Sequence, residues 1–278
     1  MLGIDTIKEL WGRKVEDVEA EIASWDSVAS EYLLEEKNNF TEDPFLKFMD
    51  EKVRLCKDMQ VLDVGCGAGA YSCRIAERTG SVTGVDFSPR MIEEGENYVR
   101  KNHIKNVKFL ERNWHTCDGE EFRGKYDIAF AHTTPAVIDY ESFKKMNDAS
   151  NRYCFISKPT RRRDPIFDEI RKIAGDSSMK RRDDMPLLFD ALWLWGYHPE
   201  LRYDPVTWKA EHTVKEAEQW YLGRLKGMMQ VDASVEKQIK EYLRSVSVNN
   251  VVCETIETTL KLKGLEEEAL YCLQGTDQ

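Results

Sequence analysis

The chain has 278 residues, of which 41% are hydrophobic and 32% charged, and its formal net charge is −10 at pH 7. These proportions are ordinary for a globular protein, and no run of about 18 apolar residues is present, so no membrane span is expected. The acidic balance argues against a broad phosphate-binding surface, and therefore against a nucleic-acid partner.

The N-terminus carries early acids and no continuous apolar stretch, which predicts no signal peptide and a cytoplasmic protein. The seven cysteines are scattered and include no Cys-x-x-Cys pair, so free thiols are expected rather than disulfides or a zinc site. We therefore predict no bound metal. The sequence leaves the oligomeric state open.

The first fifty residues are predicted to be largely helical. Apolar residues recur at steps of three and four between Val15 and Tyr32, which is typical of one amphipathic helix. A second, shorter helix is predicted from Pro44 to Val53. We expect residues 1–50 to form a helical cap segment.

Alternating strands and helices follow from Gln60 onward. Short apolar runs separated by helices of about ten residues predict parallel βαβ units with right-handed crossovers. Ligands of such doubly wound sheets bind at the carboxyl ends of the strands. The five predicted strands are Gln60 to Val64, Ser81 to Val85, Val107 to Glu111, Tyr126 to Ala131 and Arg152 to Ser157.

The pattern becomes less regular after Pro159. A sixth strand is predicted from Glu200 to Trp208 and a seventh from Val251 to Leu262, with two helices between them. We therefore predict a single α/β domain with a doubly wound, mostly parallel, seven-stranded sheet and a helical cap. Its expected parts are a core at 51–163, a substrate and cap region at 164–250, and a C-terminal strand and tail at 251–278.

A glycine-rich turn, Gly65-Cys66-Gly67-Ala68-Gly69, follows the first predicted strand. Glycine permits a sharp turn in which the backbone approaches a ligand closely. Asp86 ends the second predicted strand, where a carboxylate can accept hydrogen bonds from both hydroxyls of an adenosine ribose. Strand, turn, helix and carboxylate together predict a site for an adenosine-containing cofactor.

Two cofactors fit this pattern. With Ala70 the turn also reads as Gly-x-Gly-x-x-Ala, which is a tolerated NAD motif. Asp63, just before the turn, would repel a pyrophosphate but attract the ammonium and sulfonium groups of S-adenosylmethionine (SAM). The residues therefore favour SAM over NAD.

Residues 60–157 resemble the class I SAM-dependent methyltransferases, in particular their small-molecule (type 11/25-like) branch. Asp63 to Gly69 is similar to the first motif of that family, and Val85 to Pro89 with Met91 is similar to the second. The resemblance implies a methyltransferase with SAM as cofactor and S-adenosylhomocysteine as product. The cofactor-binding residues that it implies are Asp63, Gly65, Cys66, Gly67, Gly69, Asp86, Phe87, Met91, Asn113 and Trp114.

The resemblance also assigns roles. The three glycines would contact the methionine part of SAM, Asp86 would hold the ribose, and Phe87 and Met91 would pack near the adenine. Asn113 stands where many relatives have an acid, and its amide oxygen can still accept a hydrogen bond from the adenine amino group. The segment that ends near Tyr32 is similar to a helix that often covers SAM in this family.

The fourth predicted strand runs into His132 and Thr133, a place that faces both SAM and acceptor in the resembling family. His132 is the candidate general base, because an ordinary imidazole pKa lies near neutral pH, although a packed histidine would give the same sequence. The signatures of amino-group, cytosine and arginine methylation are absent. These absences favour a small-molecule acceptor, with Tyr32, Thr133 and Trp208 as candidate binding residues.

Two other functions stay open. The basic run Arg161 to Arg163 supports an RNA or protein methyltransferase, whereas a solvated basic face explains the same run without a ligand. The absence of a certain catalytic residue supports a SAM-binding regulator that does not catalyse. The aromatic residues around Trp193 to Trp208 predict either an acceptor-binding wall or the core of a cap.

Overall fold

The computed structural model describes residues 2–12, 17–35, 38–160, 162–176, 184–204 and 207–258. The chain divides into two compact units. The larger unit runs from Ile4 to Lys158, and the smaller unit begins at Pro159 and includes the first three residues of the chain. No helix in the described ranges is long and apolar enough to cross a membrane.

The larger unit contains a sheet of five parallel strands in the order β3-β2-β1-β4-β5. The two central strands, β1 and β4, are almost wholly buried, as expected for apolar runs covered on both faces. The strand order reverses between them, and ligands of such sheets bind outside the carboxyl ends at that point. The strands are β1 (Gln60–Val64), β2 (Ser81–Asp86), β3 (Val107–Glu111), β4 (Tyr126–His132) and β5 (Ser150–Ser157).

Six helices and two 3-10 turns, the second of which is Gly119–Glu121, accompany this sheet among the described residues. Two of the helices begin with a capping carboxyl or hydroxyl group followed by proline, Asp43-Pro44 and Ser88-Pro89, a sequence that starts a helix because proline needs no hydrogen-bond partner there. The elements are α1 (Ile4–Leu10), α2 (Val18–Ser27), the turn Ala29–Tyr32, α3 (Pro44–Val53), α4 (Ala70–Ala76), α5 (Pro89–Lys101) and α6 (Tyr140–Ala149).

The core of this unit lies between the sheet and its flanking helices. Leu46 and Met49 of α3 and Ile75 of α4 pack against strand residues such as Val61 and Phe130, and all five are buried. Large apolar side chains of this kind contribute about 1.5–3 kcal/mol each when they are buried. The core therefore fixes α3 and α4 over β1 and β4, whose carboxyl ends carry the candidate site.

The smaller unit has its own three-stranded antiparallel sheet in the order β6-β8-β7. Strands β7 and β8 are joined by a helical hairpin formed by α9 and α10. The elements are β6 (Arg162–Arg163), α7 (Pro165–Ile173), α8 (Met185–Leu194), β7 (Thr207–Thr213), α9 (Val214–Lys226), α10 (Ala233–Val246) and β8 (Val251–Thr258).

The predicted seven-stranded sheet is corrected by this arrangement. In the described residues the expected sixth and seventh strands pair with each other, Thr207 with Glu257 through Thr213 with Val251, and not with β1 to β5. Burial alternates along β8, with Val252 and Glu254 inward and Cys253 outward. This pattern is typical of an antiparallel sheet covered on one face, whereas an inner strand of a parallel sheet is buried on both.

The predicted strand boundaries in the larger unit are confirmed to within two residues, and α3, β1 and β3 begin and end at the predicted residues. The single helix from Val15 to Tyr32 is wrong, because α2 ends at Ser27 and a 3-10 turn follows. The Ser27 hydroxyl donates a 2.7 Å hydrogen bond to the Ser24 carbonyl oxygen, and such local bonds compete with the helical ladder.

Candidate active site

The glycine-rich turn between β1 and α4 takes a backbone conformation that glycine alone adopts easily. Gly65, Gly67 and Gly69 have φ angles of 70°, 54° and 80°. A Cβ atom on Gly65 would lie 1.9 Å from Oγ1 of Thr134, and one on Gly69 would lie 2.3 Å from the ring of Phe109. The turn therefore exposes its backbone, with no side chain from these three positions, at the carboxyl end of β1.

The carboxylate of Asp86 is tied to this turn. It accepts hydrogen bonds from the backbone N–H of Gly67 and of Ser88, each at 2.9 Å, and only 8% of the residue is exposed. Burial raises the pKa of Asp86, and the charge of Asp26 raises it further. The backbone N–H of Phe87 also acts on this carboxylate, which still has the capacity to accept a hydroxyl hydrogen from a ligand.

Asp63 lies on β1, the strand that pairs with β2, and it is more deeply buried than Asp86, with 2% of the residue exposed. Its carboxylate accepts a 2.6 Å hydrogen bond from the Ser72 hydroxyl. Burial raises the pKa of Asp63 to about 7, and the nearby charge of Asp86 adds to this rise. A buried carboxylate of this kind fits a cationic ligand, which would stabilise its ionised form.

Cys66 and Met91 complete the immediate surroundings of the turn. Burial raises the pKa of the Cys66 thiol, so this group is not a reactive thiolate. Met91 is buried, and its sulfur lies 3.8 Å from the place that a Cβ on Gly67 would occupy. The half-buried Phe87 stands between Asp86 and Ser88. The structure thus brings Asp63, Asp86, Met91 and the three glycines together.

The N-terminal segment packs onto the same place. Asp26 of α2 accepts hydrogen bonds from the Ser88 hydroxyl and from the Arg90 backbone N–H. Ala29, in the 3-10 turn, packs against Ala68 and Met91 in a buried cluster. Tyr32 contacts Trp25 edge to face at 5.7 Å and is 43% exposed. Tyr32 therefore lies at the surface of the segment that covers the glycine turn.

The loop after β3 gives Asn113 and Trp114 different surroundings. The Asn113 side-chain oxygen accepts a 3.0 Å hydrogen bond from the His115 backbone N–H, so it also shapes its own turn. Trp114 is 2% exposed, its Nε1–H donates to the Ser142 carbonyl oxygen at 3.0 Å, and its ring packs on Phe122. The indole ring of Trp114 is therefore part of the core, and a contact between Trp114 and the cofactor stays a prediction.

His132, at the end of β4, packs against two aromatic rings. Its ring centroid is 4.0 Å from that of Tyr71 and 4.9 Å from that of Phe45. Burial lowers the pKa of His132 to about 4, so the imidazole is neutral near pH 7 and is a weak base. Among the described residues neither ring nitrogen makes a hydrogen bond, so both are available to a ligand.

Thr133 follows His132 in a left-handed conformation with a φ angle of 50°. Its backbone N–H donates to the Ser157 carbonyl oxygen at 2.8 Å, which ties the loop to the end of β5. A strained backbone of this kind is often found at functional sites, where the surroundings hold it in place. The third candidate, Trp208, lies in β7 of the smaller unit, and its side chain is outside the described residues.

Three residues near the site were not predicted from the sequence: Asp43, Tyr71 and His115. Tyr71 directly follows the glycine motif, and Asp43-Pro44 is a helix-start signal, so both had a local signal but no functional one. The Nε2–H of His115 donates to the Pro135 carbonyl oxygen at 3.2 Å. This bond joins the loop after β3 to the loop after β4. No group of three or more metal-ligating side chains occurs within the described part of the chain.

The five-stranded parallel sheet, the glycine turn and Asp86 define a class of α/β proteins that bind an adenosine cofactor at the carboxyl ends of β1 and β2. Residues 55–170 match the family model described as a methyltransferase domain. Residues 55–170 therefore form a class I SAM-dependent methyltransferase domain, for which the cofactor is SAM.

Individual relatives match over different lengths. Aklanonic acid methyltransferase DauC of Streptomyces sp. (strain C5) is 28% identical over 169 residues, which are 58% of this chain and 67% of that protein. The 23S rRNA (uracil(1939)-C(5))-methyltransferase RlmD of Alcanivorax borkumensis is 40% identical over 52 residues, or 19% of this chain. The chain spans only 12% of the length of that enzyme.

Among solved structures, YjhP from E. coli is similar with a TM-score of 0.48 and 16% identity, covering 84% of this chain and 97% of that one.

Proposed function

We propose that this protein transfers the methyl group of SAM to a small-molecule acceptor. The observation that carries the proposal is the turn at Gly65, Gly67 and Gly69, in which three left-handed glycines bare the backbone and the Gly67 N–H orients the Asp86 carboxylate. A Cβ at Gly65 or Gly69 would collide with Thr134 or Phe109, so only glycine permits the turn that bares this backbone for a cofactor.

The residues that would hold SAM divide by chemistry. The backbone of Gly65 to Gly69 would lie against the methionine part of SAM. The carboxylate of Asp86 would accept hydrogen bonds from the ribose hydroxyls. Phe87, Met91 and Asn113 would surround the adenine. Buried Asp63 would stabilise the positive charges of the cofactor. When bound, SAM supplies an electrophilic methyl group on its sulfonium.

The acceptor would meet His132 and Thr133. Because both ring nitrogens of His132 lack a partner among the described residues, a neutral imidazole can hydrogen-bond an acceptor hydroxyl or amine and orient it. With a pKa of about 4, His132 orients the acceptor better than it removes a strongly held proton. Tyr32, on the segment that covers the turn, is a further candidate for contact with the acceptor.

The extent of the matches disfavours RNA but leaves a protein acceptor open, because a release factor glutamine methyltransferase of Fusobacterium nucleatum also matches at 28% identity, over 137 residues. The match to aklanonic acid methyltransferase continues over 169 residues, well beyond the cofactor motifs. The match to the rRNA methyltransferase spans 52 residues, a length that the shared cofactor motifs alone can account for. The net charge of −10 also disfavours a nucleic-acid backbone as partner.

Calorimetric titration tests the cofactor part of the proposal. SAM and S-adenosylhomocysteine should bind the full chain, and NAD should not. Asp86→Asn should weaken SAM binding by about 30-fold, because two hydrogen bonds to the ribose lose their charged acceptor. Asp127→Asn is the matched control, since Asp127 accepts a hydrogen bond from the Gln60 N–H at the amino ends of β1 and β4, away from the candidate site. Binding of NAD without SAM would overturn the proposal.

Transfer of a radiolabelled methyl group from SAM tests the acceptor part. Label should enter the small-molecule fraction of a cell extract and stay out of purified ribosomal RNA and protein. Label in RNA or protein would replace the small acceptor by a macromolecule. Tight SAM binding with no transfer to any fraction would instead favour a regulator that does not catalyse.

A further inference from the structure

One carboxylate, that of Asp43, is hydrogen-bonded to both residues whose rings contact His132. Its Oδ1 accepts hydrogen bonds from the backbone N–H groups of Phe45 at 2.9 Å and Leu46 at 3.0 Å, which caps α3. Its Oδ2 accepts a 2.8 Å hydrogen bond from the hydroxyl group of Tyr71 on α4. Asp43 is 9% exposed, so these bonds are shielded from water.

The two rings contact the imidazole from adjacent directions, because their own centroids are only 5.9 Å apart, and together they form a two-sided slot for it. Tyr71 lies nearly face to face with His132, at 4.0 Å and an interplanar angle of 30°, and Phe45 lies on it at 4.9 Å and 55°. Phe45 also contacts Tyr71 edge to face at 5.9 Å and Phe130 at 5.9 Å. The slot therefore restricts rotation of the His132 ring. The two ring nitrogens, which make no hydrogen bond among the described residues, are the atoms that can meet a ligand.

The same carboxylate acts on His132 through its charge. Burial against the rings disfavours the charged imidazolium, and the negative charge of Asp43 opposes that effect only in part. Removal of the slot and removal of the charge therefore have opposite consequences for His132. This difference makes the two roles of Asp43 separable by experiment.

We propose that Asp43 is a positioning residue for methyl transfer, which aligns the imidazole of His132 with the acceptor through Tyr71 and Phe45. This inference rests on the proposed function, because it assigns a purpose to the open edge of His132. Asp43 itself touches neither ring nitrogen of His132. It acts by joining the start of α3 to the start of α4, and Phe45 and Tyr71 on these two helices both contact His132.

Three variants separate positioning from simple folding. Asp43→Ala removes both the cap of α3 and the bond to Tyr71. Asp43→Asn keeps a good N-cap and an amide that can hydrogen-bond the Tyr71 hydroxyl, but it loses the charge. Tyr71→Phe keeps the packed ring and loses the hydroxyl group, with its bonds to Asp43 and Asn38. Asp118→Ala is the matched control, since Asp118 caps a distant 3-10 turn through the Glu120 N–H.

The readout is the NMR signal of the His132 ring in protein with ¹³C-labelled histidine, assigned with His132→Gln and followed from pH 3.5 to about 8 in the S-adenosylhomocysteine complex. In Asp43→Ala the pKa of His132 should be higher than in Asp43→Asn, because both variants lose the charge and only Asp43→Ala opens the slot to water. In Asp43→Asn the neutral-ring signal should stay in place while the pKa falls. Tyr71→Phe should move or broaden the signal.

The outcomes distinguish this inference from the proposed function. Loss of S-adenosylhomocysteine binding in the wild-type protein would defeat the proposed function. Normal binding with an unchanged His132 titration in all of Asp43→Ala, Asp43→Asn and Tyr71→Phe would overturn the role of Asp43. If Asp43→Ala does not fold, Asp43→Asn and Tyr71→Phe decide alone, because both keep a cap and both rings.

Discussion

At the scale of single residues, the two buried carboxylates beside the glycine turn differ in what satisfies them. Asp86 accepts from two backbone N–H groups, whereas Asp63 accepts from the Ser72 hydroxyl and is buried further. The pKa of Asp63 is consequently raised to about 7. In the unligated protein Asp63 therefore exchanges its proton close to physiological pH.

Binding of SAM should release a proton near pH 7. A cation favours the ionised form of Asp63 and lowers its pKa, so affinity should fall as the pH drops below about 7, by up to about tenfold per unit. Calorimetry at pH 6 to 8 in buffers of different ionisation enthalpy measures both effects. S-adenosylhomocysteine, which lacks the sulfonium charge, should show a shallower dependence. An Asp63→Asn profile as steep as that of the wild type would contradict the assignment.

Residue-scale reasoning from the sequence succeeds where the signal is local. The glycines of the turn and Asp86 are predicted because strand, turn and strand end are adjacent in the chain or paired in the sheet. The Tyr71 to Asp43 bond joins residues 28 positions apart, and nothing in either segment names the other. The position of Trp114 after β3 likewise does not reveal that its indole N–H donates to Ser142 of α6.

At the scale of elements, α6 holds the loop after β3. Lys145 donates hydrogen bonds to the carbonyl oxygens of Trp114 at 2.7 Å and Cys117 at 2.8 Å, and the Trp114 indole donates to Ser142. Loop and helix thus behave as one piece. Because Asn113 begins this loop, the grip of α6 should set the geometry of the adenine side of the site.

Lys145→Met should weaken SAM binding by about tenfold, since two carbonyl groups lose a charged donor and the loop loosens. Lys144→Met is the matched control on the same helix, because Lys144 pairs with Asp148 away from the loop. Calorimetric titration of SAM into both variants measures the difference. Equal affinities in the two variants would show that the loop keeps its shape without Lys145.

The elements themselves were predicted more completely in the larger unit than in the smaller one. Apolar runs and the cap-proline pairs at Asp43 and Ser88 fix strands and helix starts locally. The pairing of β7 with β8 depends on which strands the helical hairpin of α9 and α10 brings together. Alternation along β8 indicates one covered face, but it does not say which sheet the strand joins.

At the scale of the whole molecule, the smaller unit has a charged interior of its own. Arg224 of α9 contacts Asp164 at 3.1 Å and Glu254 at 3.6 Å, and Glu254 contacts His212 at 3.5 Å. The two carboxylates and His212 are buried. These contacts join α7, α9, β7 and β8, so they tie together segments that are far apart in the chain.

Arg224→Met should destabilise the smaller unit by about 3 kcal/mol, because the buried carboxylates of Asp164 and Glu254 lose their contacts with the Arg224 guanidinium. Hydrogen exchange resolved by segment should report the loss in α7, α9 and β8, with little change in β1 to β5. Arg244→Met is the control, since Arg244 pairs with Glu218 at the surface and exposed pairs contribute little. Uniform loss of protection over both units would mean that the chain unfolds as one body.

The near contact between Gly65 and Thr134 has a consequence for changing the acceptor by protein engineering. With Oγ1 of Thr134 at 1.9 Å from the place of a Cβ on Gly65, neither position has room to grow. A library that varies the loop after β4 should therefore keep residue 134 small and explore position 133 instead. Enlarging residue 134 would distort the cofactor turn, and a change meant for specificity would register as a loss of SAM.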